Sequence, residues 1–250
     1  MSPEGKSAVL LVLNAGSSSL KFAVFAVTRA GLTQRYDGQM EGIGAAPHFT
    51  LRDAAGAMIS ERHFTPAEAP KGHEGALGII LGALSPLLDG AAIRAIGHRV
   101  VHGGRDLSAP VMITGAIMAK LRALVPLAPL HQPHNLAGVD AAARYFQGVP
   151  QIACFDTAFH RTQSRAAATF ALPPRFFDQG ILRYGFHGLS YEYITRRLAA
   201  EDPALGQARL IVAILAMAHH FVRLRAGKAA PPPWASPHWM AYPWARAAGS

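Results

Sequence analysis

Residues 9–25 read V-L-L-V-L-N-A-G-S-S-S-L-K-F-A-V-F: two strand-length apolar runs around a polar loop from Asn14 to Ser19, with Lys21 inside the second run. The spacing predicts a β-hairpin. Its loop offers what a polyanion needs: a glycine that lets backbone amides turn inward, the hydroxyls of Ser17, Ser18 and Ser19, and an ammonium nearby. An ordinary surface hairpin with a polar turn is the alternative, because the loop lacks the Walker spacing G-x-x-x-x-G-K-[ST].

Around that hairpin lies a chain of 250 residues, half of them hydrophobic. That is enough for a sizeable core in one or two domains and argues against disorder. A single cysteine, Cys154, excludes a disulfide framework and a Cys-based zinc site and points to a reducing compartment, with the cytoplasm expected. The run from Ala8 to Leu13 is too short for an export signal, and only Lys6 precedes it. The longest apolar run, Leu210 to Ala218, falls short of the roughly 18 residues of a spanning helix. The net charge of +9 is in part a property of the last fifth of the chain. Arg209, Arg223, Arg225, Lys228 and Arg246 all follow Asp202, after which there is no acid. Without interleaved aromatic and basic residues before position 220, or any zinc-finger spacing, nucleic-acid binding is not expected.

Further short strands are expected over residues 32–52, and an Ala/Pro/Gly-rich surface loop over 53–71. Helical spacing covers 72–88. An apolar strand at 95–101, interrupted by His98 and Arg99, ends in His102-Gly103-Gly104, where backbone could approach a ligand. A helix over 114–124 stops before Pro126. A second runs from about His134 to Phe146, a buried strand over 151–155 ends at Asp156, and a third helix spans 189–199. With a last strand at 209–213, strands alternating with helices predict an α/β chain. His98-x-x-x-His102 is no zinc pair, since on a strand those side chains stand roughly 13 Å apart.

Four stretches occur in order: N-A-G-S-S-S-L-K-F, G-H-R-V-V-H-G-G, A-P-L-H-Q-P-H-N and F-D-T-A-F-H, with Y-G-F-H-G-L-S-Y behind them. Together they resemble the acetate kinase family through residue 213. The resemblance implies the actin-like ATPase (ribonuclease H-like) fold. It places a first domain at 1–150, the start of a second nucleotide-binding domain at 151–213, and a homodimer. It also implies reversible phosphoryl transfer from ATP, with Mg²⁺, to acetate, giving acetyl phosphate and ADP. Propionate and butyrate remain alternatives, since one methylene is worth only about 1–3 kcal/mol in such a pocket.

Residue by residue, the resemblance makes Arg99 the holder of the substrate carboxylate, a role suited to a planar guanidinium charged at any working pH. A structural ion pair is the alternative for Arg99. Val101 and Leu130 match the apolar pocket for the acyl methyl. His187 matches the histidine that donates to the transferring phosphoryl group, and Asp156 the carboxylate that organises the acceptor and metal region, unless it only caps the next helix. Ser17, Ser18, Ser19 and Lys21 match phosphate-facing positions. Asn14 matches a magnesium-side residue acting through water. His102 and His131 fall in matched motifs as site-lining residues.

From Ile214 the family pattern is absent. The family's H-L-G-N-G-A-S-L-C-A, written in ordinary codons and read from the second base, becomes I-L-A-M-A-H-H-F-V-R, residues 214–223. A later family stretch, shifted the same way, gives residues 232–245. The expectation is that 214–250 is an out-of-frame, non-family tail. The strand before it should lack its sheet partners and the chain should have little or no kinase activity alone. A protein that only binds a small carboxylate or phosphate is the second reading. A basic membrane- or partner-binding tail is the third, disfavoured by Pro231-Pro232-Pro233.

Overall fold

In the computed structural model, residues 8–215 and 219–230 are described. They form two units, residues 8–102 with 110–154, and residues 103–109 with 155–215 and 219–230.

The first unit is built on β1 (Ala8–Ala15), β2 (Ser19–Thr28), β3 (Gly31–Glu41), β4 (His48–Asp53), β5 (Met58–His63), α1 (Gly72–Leu88), β6 (Ala92–Val100), β7 (Val111–Met112), α2 (Gly115–Ala123), α3 (Gln132–Tyr145) and β8 (Gln151–Phe155). Its sheet has eight strands in the order β5-β4-β3-β2-β1-β6-β8-β7. The hairpin read at 9–25 is β1 and β2, antiparallel, with Ala15 opposite Leu20 and Asn14 opposite Lys21. On its other edge β1 runs parallel to β6, Leu13 beside His98.

Alternation along β1 sends Val9, Leu11, Leu13 and Ala15 to one face, all buried. There they pack with Leu20, Phe22 and Val24 of β2 against Leu77, Ile80 and Leu84 of α1 and Ala141 and Ala142 of α3. Each fully buried leucine or isoleucine in that layer is worth about 1.5–3 kcal/mol. A period of two therefore puts Asn14 on the opposite face.

The loop expected over 53–71 contains a strand instead. β5 pairs antiparallel with β4 as the sheet's outer strand, and nearly all its side chains are exposed. An edge strand with nearly all its side chains in solvent shows no hydrophobic alternation, so its sequence carries no sign of it.

The second unit holds α4 (Arg165–Ala168), α5 (Pro174–Asp178), α6 (Gly188–Glu201), α7 (Pro203–Gln207), β9 (Arg209–Leu215), β10 (His219–Arg225) and β11 (Lys228–Ala230). The three strands make one antiparallel sheet in the order β11-β10-β9. The strand at 209–213 thus has a partner, contrary to the expectation: β10 pairs with β9 along its length, Val222 opposite Val212 and Leu224 opposite Leu210. The cause is legible in H-H-F-V-R-L-R, whose alternation turns Val222 and Leu224 toward Tyr191 and Ile194 of α6. Ala226 and Gly227, both with positive φ (47° and 70°), make the two-residue connection to β11 that right-twisted strands favour. The other face leaves Ile211, Leu215 and Phe221 exposed. The proline run and the tryptophans of 231–250 lie outside the described residues. No helix among the described residues is long and apolar enough to cross a membrane.

Candidate functional site

In the first unit, the residues singled out from the sequence meet where β1 and β6 end. Asn14 and Lys21 are cross-strand partners, so both project from the face opposite α1 and α3. Arg99, half-buried near the end of β6, donates from Nη1 to Asn14 Oδ1 at 3.4 Å. Beside them the loop closes with Gly16 N donating to Ser19 O at 2.8 Å. Ser17 and Ser18 are exposed and Ser19 half-buried. Ile43 N donates to Ser18 O at 2.9 Å, and His73 Nε2 to Gly16 O at 2.6 Å, which tie the loop to neighbouring segments. Val101 is buried, whereas Leu130, in the turn before α3, is 55% exposed. His131 is exposed as well.

Two amides that the sequence reading left without a role hold this arrangement. Asn135 Oδ1 accepts from Val101 N at 2.9 Å, and its Nδ2 donates to Ala15 O at 2.6 Å, so one buried side chain joins the ends of β6 and β1. Gln132, fully buried, accepts from His102 N and donates to His102 O, both at 3.1 Å, and to Leu121 O at 3.2 Å. The signal was present in H-Q-P-H-N: two amides one helical turn apart, on a helix face that also buries Leu136 and Val139. His98 Nε2 donates to Gln151 Oε1 at 2.6 Å. Burial pushes His98 down to about 4, against the raising effect of that bond, and pushes His102 down to about 4 as well. Both are neutral imidazoles at pH 7, which suits a supporting layer and not an anion grip.

In the second unit, Asp156 is buried at the end of β8, and its carbonyl accepts from Gly188 N at 2.9 Å. His187 precedes α6 in a left-handed conformation (φ 57°, ψ 22°) that few non-glycine residues adopt. Its carbonyl accepts from Ser190 N and Tyr191 N. Backbone strain of this kind clusters at functional sites. Both glycines of Y-G-F-H-G are required by contact. A Cβ on Gly185 would lie 2.3 Å from the His160 ring, and one on Gly188 2.2 Å from Asp156 O.

His160 Nε2 donates to Phe186 O at 2.8 Å, so this ring props the turn that carries His187. Burial lowers the His160 pKa most, and His187 lowers it further, while the Phe186 bond and the Asp156 charge raise it. Asp156, His160 and His187 thus share one electrostatic neighbourhood. His187 also meets the His220 ring edge to face, centroids 4.5 Å apart. The His102-Gly103-Gly104 turn serves packing: a Cβ on Gly103 would lie 2.3 Å from Leu107 O, and its N donates to Thr157 Oγ1 at 3.0 Å.

Magnesium takes hard oxygen ligands and keeps several waters. In the first unit the amide oxygen of Asn14 is a donor of that kind, and in the second, taken by itself, the buried carboxylate of Asp156 is another. Asn14 Oδ1 already accepts from the Arg99 guanidinium, which favours contact through a metal-bound water over direct ligation.

The family model described as "Acetokinase family" matches residues 9–230, a span that includes β10 and β11. The chain is 45% identical over 230 residues to an acetate kinase of Methylocella silvestris, covering 88% of this chain and 56% of that protein. It is 42% identical over 220 residues to one of Nitrobacter hamburgensis, with 88% and 54% covered. The chain therefore spans about half the length of the curated relatives it matches. Among solved structures it resembles the acetate kinase of Porphyromonas gingivalis (TM-score 0.73, 32% identity, 90% of this chain and 56% of that one). It also resembles a propionate kinase of Francisella tularensis (TM-score 0.77, 30% identity, the same coverage).

Proposed function

Since the chain belongs to the acetokinase family and has its α/β, actin-like fold, we propose that it carries the carboxylate-gripping part of an ATP-dependent short-chain carboxylate kinase. The observation that supports this reading most is the placement of Arg99 and Asn14 on one face of adjacent strands, linked by Nη1 to Oδ1 and next to the Gly16–Ser19 loop.

Phosphoryl transfer is chiefly positioning and charge neutralisation. Arg99 has five N–H donors in a planar fork, enough to bond Asn14 and still hold both oxygens of a carboxylate. Its orientation would be kept by β6, which Asn135 and Gln132 pin at Val101 and His102. Ser17, Ser18, Ser19 and Lys21 would face phosphate oxygens. His187 would donate a hydrogen bond to the transferring phosphoryl oxygens, with His160 keeping the turn in place, and Asp156 would organise the acceptor. Asn14 would hold Mg²⁺ through water, and that ion, when bound, neutralises charge on the nucleotide phosphates. Val101 and Leu130 would meet the acyl chain, with acetate as the proposed acceptor and propionate as the alternative. A reducing, cytoplasmic setting suits a chain with one cysteine, and the family resemblance supports a homodimer.

The test is binding of acetyl phosphate to the full chain by calorimetry, alongside hydroxylamine trapping of product from acetate and ATP-Mg. Saturable acetyl phosphate binding that Arg99→Ala removes is expected, with turnover far below that of a relative of full length. No saturable binding would refute the carboxylate grip. Turnover equal to that relative would show that the chain alone suffices.

A further inference from the structure

Away from these residues, on the outer hairpin of the eight-stranded sheet, His48, Glu61 and His63 bring three potential ligand atoms within 4.8 Å of one another. The register makes this a consequence of strand pairing. His48 and His63 are direct cross-strand partners of β4 and β5, and Glu61 is opposite Thr50, two residues along each strand. Side chains two apart share a face, so all three project from the same side. The two imidazoles stack with centroids 4.1 Å apart, and His48 Nε2 donates to Glu61 Oε1 at 2.8 Å.

We propose that His48, Glu61 and His63 form a binding site for a zinc-class divalent cation that clips β5 to β4. Two imidazoles and a carboxylate are borderline-soft and hard donors respectively, a set that suits zinc and its first-row neighbours and not magnesium or calcium. Tetrahedral zinc, with bonds of about 2.0–2.1 Å, holds its ligand atoms roughly 3.3 Å apart. Closing the 4.8 Å span to that spacing would take rotation of side chains, and His63 and Glu61 are both exposed. Both rings must leave the stack for their in-plane nitrogen lone pairs to converge on one ion. A fourth position is left for water. Thr50, on the same face, is 4% exposed, and its Oγ1 has no hydrogen-bond partner.

The benefit falls on the strand that needs it. β5 is an outer strand whose side chains are nearly all exposed, so little burial holds it. An ion bridging it to β4 acts as a cross-link present only in the folded state.

The experiment uses the full chain stripped with chelator. Co²⁺ is titrated with absorption of its d–d bands as the readout and then displaced by Zn²⁺, and melting is followed with Zn²⁺ or Mg²⁺ present. One saturable equivalent is expected, with a rise in Tm from Zn²⁺ and none from Mg²⁺. His63→Ala and His48→Ala should each abolish the cobalt bands and the Tm rise. Circular dichroism of the variants shows whether each is folded, and Glu61→Gln, which alters no shape, gives the same answer through weakened uptake. An unmodified chain that takes up no saturable equivalent, or folded variants that take it up equally well, would overturn the proposal.

Discussion

His102 and Gln132 exchange a reciprocal pair of hydrogen bonds, His102 N to Oε1 and Nε2 to His102 O, both 3.1 Å long. The side chain of α3 thus plays the part of a neighbouring strand at the point where β6 has run out of one. The same amide bonds Leu121 O, at the end of α2. Three separate segments are fixed by one fully buried group. The residue that benefits is Arg99, three positions upstream, whose aim depends on where this end of β6 lies.

Replacing that amide should therefore be costly. Gln132→Met keeps the shape but removes the partner of the His102 N–H and C=O, while Leu121 O still accepts from Leu124 N at 3.2 Å. At about 1–3 kcal/mol for each unsatisfied group, partly relieved by relaxation, a loss of about 2–4 kcal/mol is expected. Urea unfolding of the variant measures it, and an unchanged midpoint would mean that the amide holds nothing.

Arg99→Lys separates charge from shape. A lysine keeps the cation but not the planar fork, so acetyl phosphate binding should weaken by about tenfold or more while stability moves by less than about 1 kcal/mol. Calorimetry and urea unfolding on the same sample check both. Equal binding by the lysine variant would assign Arg99 a purely coulombic role.

Acid should destabilise the first unit through His98 and His102. Unfolded, each takes up a proton near 6.5; folded, burial delays this to about 4. Between those values the unfolded state binds more protons. The stability they contribute is therefore complete above 6.5 and falls by up to about 1.4 kcal/mol per pH unit for each histidine, levelling off below about 4. Urea midpoints between pH 7.5 and 4.5 should show this slope, and His98→Gln should roughly halve it, leaving the share of His102. A variant with the full slope would remove His98 from the account.

Gly185→Ala should displace the His160 ring, since the new Cβ would lie 2.3 Å from it. Overpacking of this kind costs about 1–3 kcal/mol. Combining Gly185→Ala with His160→Ala should cost less than the two single changes summed, because the clash is then absent. Strict additivity in a double-mutant cycle would count against the contact.

Ala226 sits at φ 47° in the β10–β11 connection, where a Cβ is disfavoured by roughly 1–2 kcal/mol. Ala226→Gly should stabilise the hairpin by about 0.5–1 kcal/mol after the added flexibility of glycine is counted. A thermal melt that does not rise would contradict the assignment.

Much of this was legible before any coordinates. Two apolar runs around Asn14–Ser19 gave the central hairpin, and helical spacing gave α1 and α3, because burial on one side leaves a periodic mark. β5 left none, since it lies at an edge with nearly all its side chains in solvent. Gln132 and Asn135 lie inside A-P-L-H-Q-P-H-N, yet their work is done on backbone atoms of residues 15, 101, 102 and 121, and no spacing rule points from an amide to distant backbone groups. His160 ends the stretch F-D-T-A-F-H with no further mark in the sequence. Its role comes from a glycine 25 positions later that makes room for the ring, a relation that needs three dimensions. The β9–β10 pairing is marked by the alternation in H-H-F-V-R-L-R, which stands apart from any match to the family pattern.

The parallel pairing of β1 with β6 also sets an order of events. β1 finds β2 across a short loop, and β3, β4 and β5 can add in turn as a meander, but Leu11 reaches Ile96 only after α1 has been made. During synthesis at about 5–20 residues per second, one edge of the most apolar strand stands bare for several seconds before its partner leaves the ribosome. That interval, more than the finished molecule, is where a chaperone would find something to hold.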